Sequence, residues 1–121
     1  MLNCIFVGIG GFAGSVLRYL AGLLPIEPSN GFPVKTLTIN IIGSFALGLI
    51  AALAAKNTAL DPKIVLMLKV GVCGGFTTFS TFAYEAQNLM QNASTGLALL
   101  YVLLSIILGV AAIFFAQSLI H

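Results

Sequence analysis

The stretch GVCGGFTTFSTF, residues 71–82, lies in the middle of a long apolar block and decides how the chain folds. Its three glycines, two of them adjacent, are followed by β-branched and hydroxylated residues, and both groups disfavour a continuous helix. The block around it runs from Pro62 to about Gln91. As one helix it would be about 44 Å long, whereas the hydrocarbon core of a bilayer is about 30 Å thick. We therefore predict a break near Gly74–Thr78.

The composition places this block in a membrane. The 121 residues are 60% hydrophobic and 7% charged, with a mean hydropathy of +1.12, whereas a soluble domain usually carries about 25% charged residues. The chain cannot cover its apolar residues with charged ones, which excludes a soluble enzyme and a disordered tail. A net charge of +2 without a basic run excludes a nucleic-acid partner. The sequence predicts an integral protein of the lipid bilayer.

Four apolar blocks predict an all-α membrane protein, a single four-helix transmembrane domain over residues 1–121. The predicted helices run over about residues 2–24, 34–55, 62–91 and 95–120, with the break in the third near residues 74–78. The third begins at Asp61-Pro62, an N-cap followed by proline at the first helical position. A tilted or protruding intact helix, with Gly74-Gly75 as a packing notch, is the alternative to the break.

The first helix carries glycines and one arginine on a single face. Gly10, Gly14, Arg18 and Gly22 follow at steps of four, and small residues at this spacing let membrane helices approach closely. Two interpretations of the arginine are open. Arg18 either extends to the interface beside Tyr19 or gives a positive charge to an aqueous vestibule.

Helices 2 and 4 each carry a polar stripe. Asn40 lies several residues into helix 2, with Thr38 nearby, where an amide facing lipid would be costly. It either forms an interhelical hydrogen bond or donates to an anion in a pathway. Helix 4 repeats the pattern more weakly, with Tyr101 and Ser105 at a step of four.

The third helix combines aromatic and hydroxyl-bearing residues within one short segment. Phe76, Phe79 and Phe82 recur at steps of three, and the hydroxyl-bearing residues between them are Thr77, Thr78, Ser80 and Thr81. Aromatic ring edges are electropositive, so edges and hydroxyl donors together can receive a small anion. A fixed cation would hold the anion too tightly for conduction. The alternative is a packing stripe. Glu85, the only carboxylate within an apolar block, lies either in the membrane or at interfacial water.

Three motifs stand out in the sequence: Gly10-Gly11-x-x-Gly14 with Arg18-Tyr19, Thr38-Ile39-Asn40-x-x-Gly43-Ser44-Phe45, and Gly74-Gly75-Phe76-Thr77-Thr78-Phe79-Ser80-Thr81-Phe82. Together they resemble the CrcB/Fluc family of fluoride channels. The resemblance implies a channel, not an enzyme, that exports toxic fluoride passively and so provides fluoride resistance. It also implies an antiparallel, dual-topology homodimer in the bacterial inner membrane, with two pores lined by both subunits.

The same resemblance implies roles for individual residues. Phe79 and Phe82 match the phenylalanines whose ring edges contact fluoride, and Arg18 matches the vestibule arginine. The other residues of the implied pathway are Asn40, Thr38, Ser80, Thr81, Glu85, Tyr101 and Ser105. The backbone carbonyls of Gly74 and Thr77 match a site where both subunits hold one structural Na⁺ at the dimer centre, and no organic cofactor is implied.

The residues themselves bear on assembly in two ways. Four small helices leave little room for a pore inside one subunit, so we expect an oligomer. The lysines are nearly balanced, with Lys56 and Lys63 at one side, Lys35 at the other and Lys69 a short way into helix 3. This balance permits both orientations in the membrane without requiring them.

Two other functions compete with a fluoride channel. A proton-coupled drug exporter of the small multidrug resistance type is also short, four-spanning and dimeric. It needs a carboxylate in its first helix, and helix 1 here contains none. A membrane accessory subunit, with glycine faces that serve packing only, would leave the phenylalanine–hydroxyl repeat unexplained.

Overall fold

The computed structural model describes residues 1–26, 28–92 and 94–120, and over these ranges it is helical without strands. Four segments are long and apolar enough to cross a membrane: α1 (Leu2–Gly22), α2 (Val34–Lys56), a third span (Pro62–Asn92) and α6 (Thr95–Ser118). The all-α, four-span prediction is therefore confirmed. α1 ends at Gly22, two residues before the predicted Leu24. The carbonyl of Gly22, at this helix end, accepts a hydrogen bond from Nζ of Lys35 at 2.9 Å.

The third span is interrupted near its middle. It consists of α3 (Pro62–Leu66), a π-helical segment (Met67–Cys73), the single turn α4 (Gly74–Phe76) and α5 (Phe79–Asn92). Thr77 is extended, with φ −85° and ψ 159°, and ends α4. The predicted bend is confirmed, and the alternative of an intact helix with a glycine notch is wrong. The π-helical segment, whose turns are wider than those of an α-helix, has no signal in the sequence pattern.

The start of the third span follows the local sequence. The carboxylate of Asp61 accepts a hydrogen bond from the N–H of Lys63 at 2.9 Å, and Pro62 occupies the first helical turn. The predicted cap is confirmed. It fixes the start of the span locally, because both groups lie within three residues of each other.

The glycine face of α1 packs backbone against backbone on the third span. A Cβ atom on Gly14 would meet the carbonyl oxygen of Val72 and the nitrogen of Phe76, and a Cβ on Gly71 would lie 2.8 Å from Cα of Gly10. A Cβ on Gly75 would lie 2.8 Å from the carbonyl oxygen of Gly11. α1 therefore lies directly beside the interruption and supports it along two helical turns.

The remaining contacts join α2 and α5 to α6. A Cβ on Gly48 would lie 3.0 Å from Ile113, so α2 and α6 also approach closely. The small buried core lies at the α5–α6 end, around Leu89, Ala98 and Tyr101, with Phe32 and Phe82 packed against it. The α1–α2 loop thus contributes to the core at the same end of the molecule.

Candidate functional site

The break in the third span is held by a side chain of α2. Nδ2 of Asn40 donates to the carbonyl of Thr78 at 3.2 Å, and the N–H of Thr78 donates to Oδ1 of Asn40 at 2.9 Å. The amide thus gives the N–H of Thr78 the acceptor that it loses when α4 ends, and it adds a donor from α2 to the Thr78 carbonyl. An interhelical hydrogen bond was one of the two interpretations of Asn40, and the structure contains it. An amide nitrogen has two N–H groups, so the geometry leaves the pathway role open.

Arg18 binds the last turn before the break. Its Nε donates to the carbonyl of Gly75 at 3.0 Å. In a continuous helix this carbonyl would accept from the N–H of Phe79, which belongs here to the next helix. A cation at the C-terminal end of a helical segment is favourable, because the unpaired carbonyls carry partial negative charge. Arg18 thus caps α4, a contact that sequence reasoning missed.

Two further carbonyls lose their helical donors at the break. The N–H of Thr78, which would pair with Gly74, donates to Asn40 instead. The N–H of Thr81, which would pair with Thr77, donates to Oγ1 of Thr78 at 3.2 Å. Thr78 therefore caps α5. The preference for threonine at helix N-caps is the sequence signal that could have predicted this cap. The carbonyls of Gly74 and Thr77 are the two predicted to hold a cation.

A row of aromatic rings leads from the break to the buried core. The ring centres of Phe79 and Phe82 lie 5.8 Å apart, those of Phe82 and Tyr101 5.1 Å apart, and those of Tyr101 and Phe32 5.5 Å apart. Tyr101 is fully buried, and its hydroxyl donates to Oε1 of Glu85 at 3.1 Å. Phe79 is 78% exposed in the single chain. The row therefore begins at the molecular surface and ends inside.

An open cavity of about 730 Å³ lies beside this row. Its polar lining includes Arg18, Thr36, Thr78, Thr81, Glu85 and Asn88, and the α1–α2 loop forms its outer wall. Two positive side chains, Arg18 and Lys35, and one negative side chain, Glu85, thus line the same space, at the end of the molecule where α1 ends and α2 begins. The cavity has the size and the lining of an aqueous vestibule.

The structure brings some of the predicted residues together and leaves others apart. Arg18, Thr81 and Glu85 share the cavity, and Tyr101 reaches it through Glu85. The Oγ of Ser105 is buried and has no hydrogen-bond partner in the described part of the chain. Thr38 and Ser80 are exposed on the single chain and do not line the cavity, although Oγ of Ser80 lies 3.4 Å from Oγ1 of Thr78, which does. A pathway role for each of these residues stays a prediction.

Comparison with known proteins extends over almost the whole chain. Residues 5–117 match the model of the family described as CrcB-like protein, Camphor Resistance (CrcB). A relative from Chlorobaculum tepidum named "Fluoride-specific ion channel FluC" is 47% identical over 94% of this chain and 90% of its own length. A relative with the same name from Agrobacterium fabrum is 41% identical over 94% of this chain and 92% of its own length. Another from Gloeothece citriformis is 44% identical over 94% of this chain and 93% of its own length.

These matches confirm the family that the three motifs indicate. Both the family model and the relatives extend over all four spans, so the match does not depend on the glycine-rich segment alone. The chain is a multi-pass membrane protein that belongs to the CrcB family.

Proposed function

We propose that this protein is a fluoride-selective channel through which toxic fluoride leaves a bacterial cell passively across the inner membrane. The observation that carries the proposal is the 47% identity, over 94% of the chain, to a relative named "Fluoride-specific ion channel FluC". The family and the names of the relatives indicate an ion channel, not an enzyme. The geometry supports conduction through weak, successive contacts.

The cavity is the entrance of the proposed path. Arg18 faces it and uses only Nε for the Gly75 carbonyl, and a guanidinium group has four more N–H bonds for an incoming anion. From there fluoride would pass hydroxyl groups and the ring edges of Phe79 and Phe82, none of which carries a permanent charge. Such groups replace part of the hydration shell and still release the ion, which conduction requires.

The buried hydroxyl of Ser105 supports a path along α6. It has no hydrogen-bond partner among the residues described, and a buried unsatisfied polar group commonly indicates an absent water or ion. Ser105 lies one helical turn beyond Tyr101 on the same face of α6. A fluoride ion or a water that accompanies it would supply the partner.

A second copy of the chain would complete this path. Broken backbone at membrane depth survives only where protein buries it or where it lines an aqueous cavity. In the single chain Gly74, Phe79 and Ser80 are exposed beside the break. We propose that an antiparallel copy covers them, so that both subunits line two pores. The near-balance of lysines on the two sides of the membrane is compatible with this dual topology.

The dimer centre would hold one structural Na⁺. The carbonyls of Gly74 and Thr77 are oxygen ligands freed by the break, and unwound backbone of this kind binds Na⁺ in membrane proteins. Two carbonyls from each copy would surround the ion. Within the described residues, no group of three or more His, Cys, Asp or Glu side chains offers another metal site. The ion would thus connect the break in the third span of one copy to the break in the third span of the other.

Gly74→Val tests this assembly. A Cβ on Gly74 would meet only the carbonyl oxygen of Lys69, at 3.9 Å, an ordinary van der Waals distance, so the single chain accepts a Cβ there. We expect the variant to fold but to lose the dimer, because the branched side chain would occupy space that the ion and the second copy need. The measurement is the molar mass of the purified protein in detergent, by light scattering. A dimer of unchanged mass and thermal stability would contradict the proposed centre.

Fluoride efflux from liposomes tests the channel itself. We expect the purified protein to release fluoride passively, measured with a fluoride electrode, and to pass chloride hardly at all. Phe79→Ile and Phe82→Ile should each reduce fluoride efflux at least tenfold, the effect of losing about 1.4 kcal/mol of ion stabilisation. Phe79→Ile is the more informative of the two variants, since the Phe79 ring is largely exposed in the single chain and is not needed for packing there.

Three outcomes would contradict the proposal. Chloride flux equal to fluoride flux would exclude selectivity, and flux that requires a proton gradient would favour a coupled exporter. Absence of flux from a monodisperse, correctly folded sample would favour an accessory subunit. Unchanged efflux in both phenylalanine variants would show that the two rings serve packing only.

A further inference from the structure

The α1–α2 loop contains one side chain that leaves the surface and enters the core. Phe32 packs its ring against Tyr101, with ring centres 5.5 Å apart and ring planes at 81°, an edge-to-face contact. It is also one of the half-buried residues around the core cluster and a residue of the cavity wall. Phe32 thus separates the cavity from the tyrosine behind it.

The local sequence determines where Phe32 lies. Gly31 has a φ of +81°, a conformation that favours glycine, and its N–H donates to the carbonyl of Pro28 at 3.2 Å. The N–H of Phe32 donates to Oδ1 of Asn30 at 3.0 Å. Pro33 follows and restricts the backbone of the residue before it. The loop is therefore built to place this ring, with constraints on both sides of it.

The Phe32 ring covers a hydrogen bond at the cavity. Tyr101 lies between Phe82 and Phe32, is fully buried, and donates its hydroxyl to Oε1 of Glu85 at 3.1 Å. Glu85 itself lines the cavity. A carboxylate that accepts a hydroxyl presents less negative potential to an approaching anion than one that does not. Without the Phe32 ring, water would reach Tyr101 and compete for this hydrogen bond.

We propose that Phe32 is a positioning residue of the fluoride path. It holds the Tyr101 hydroxyl on Glu85 and so keeps the carboxylate from repelling fluoride at the entrance. This inference rests on the proposed function for its consequence in transport, whereas the contact between Phe32 and Tyr101 is independent of what the protein conducts.

Tyrosine fluorescence tests the positioning step without any transport. The chain has no tryptophan and three tyrosines, so Tyr19→Phe with Tyr84→Phe leaves Tyr101 as the only emitter. We expect acrylamide to quench this tyrosine weakly, and Phe32→Ala to raise the quenching constant severalfold. Phe32→Leu should restore protection, because it retains an apolar cover. Equal quenching with and without the Phe32 ring would overturn the proposal.

A double-mutant cycle tests the consequence for flux. Phe32→Ala should slow fluoride efflux about fivefold, the effect expected from losing one hydrogen bond. In a Tyr101→Phe background, which lacks the hydroxyl, the same change should have almost no further effect. An equal reduction in both backgrounds would show that Phe32 serves only the fold. Leu24→Ala is the matched control, an exposed apolar residue of the same loop outside the cavity lining.

A second variant tests the same role of the loop and leaves the Phe32 side chain unchanged. Gly31→Ala strains the loop at its positive φ, although a Cβ there would meet no described atom within 4 Å, and should raise quenching and slow efflux as Phe32→Ala does. No effect of Gly31→Ala on either measurement would count against the proposal. If the unaltered protein conducts no fluoride, the proposed function fails and the pathway role fails with it. The quenching result would still decide whether Phe32 positions Tyr101.

Discussion

Gly14→Ala is expected to prevent α1 from docking on the third span and to remove most of the folded protein. The added methyl group would overlap the carbonyl oxygen of Val72 and lie 2.9 Å from the nitrogen of Phe76. Both obstacles are backbone atoms, so no side-chain rotation relieves the overlap. Overpacking of a single site typically costs about 1–3 kcal/mol. We expect a loss of at least about 3 kcal/mol here, out of a total stability of about 5–15 kcal/mol.

The measurement for Gly14→Ala is the monodisperse yield in detergent together with the midpoint of thermal unfolding. Gly22→Ala is the matched control, because it lies two turns further on the same stripe of α1 and a Cβ there would meet no described atom within 4 Å. Its stability should be unchanged, since the added methyl group would meet no neighbouring atom of the described residues. Equal stability of the two variants would show that the close backbone contact is not required.

Asn40→Leu is expected to abolish fluoride efflux by releasing the break in the third span. Leucine has a similar volume but offers neither the donor nor the acceptor that pairs with Thr78. Each buried backbone group left without a partner costs about 1–3 kcal/mol. We expect the combined loss to exceed about 3 kcal/mol and efflux to fall to the level of empty liposomes. Thermal unfolding and efflux are measured on the same preparation.

Two further variants sharpen this test. Asn40→Asp keeps an acceptor for the N–H of Thr78 but removes the donor to its carbonyl, so its stability should lie between those of the unaltered protein and Asn40→Leu. Asn3→Leu makes the same chemical change at an exposed position of α1 and should be neutral. An Asn40→Leu protein of normal stability and normal efflux would mean that other contacts hold the break.

The features that sequence reasoning predicted correctly are those with a local cause. The break near Gly74–Thr78 follows from glycine and β-branched residues, and the Asp61 cap from neighbouring groups. The pairing of Asn40 with Thr78 was only one of two open interpretations, since the partners lie 38 residues apart. The cap that Arg18 forms on Gly75 was missed, because the acceptor is a backbone carbonyl and no side-chain pattern marks it.

Composition and hydropathy alone determined that this chain has four segments able to cross a membrane, because a bilayer accepts only long apolar segments with internally paired backbone. The Gly-Gly-Phe-Thr-Thr run alone determined where the third of these segments stops. Folding then selected the partners of the freed backbone groups, namely Asn40 for Thr78 and Arg18 for Gly75, and it brought Phe32 onto Tyr101. Such pairings depend on the distance between helices, and contacts between distant segments set that distance.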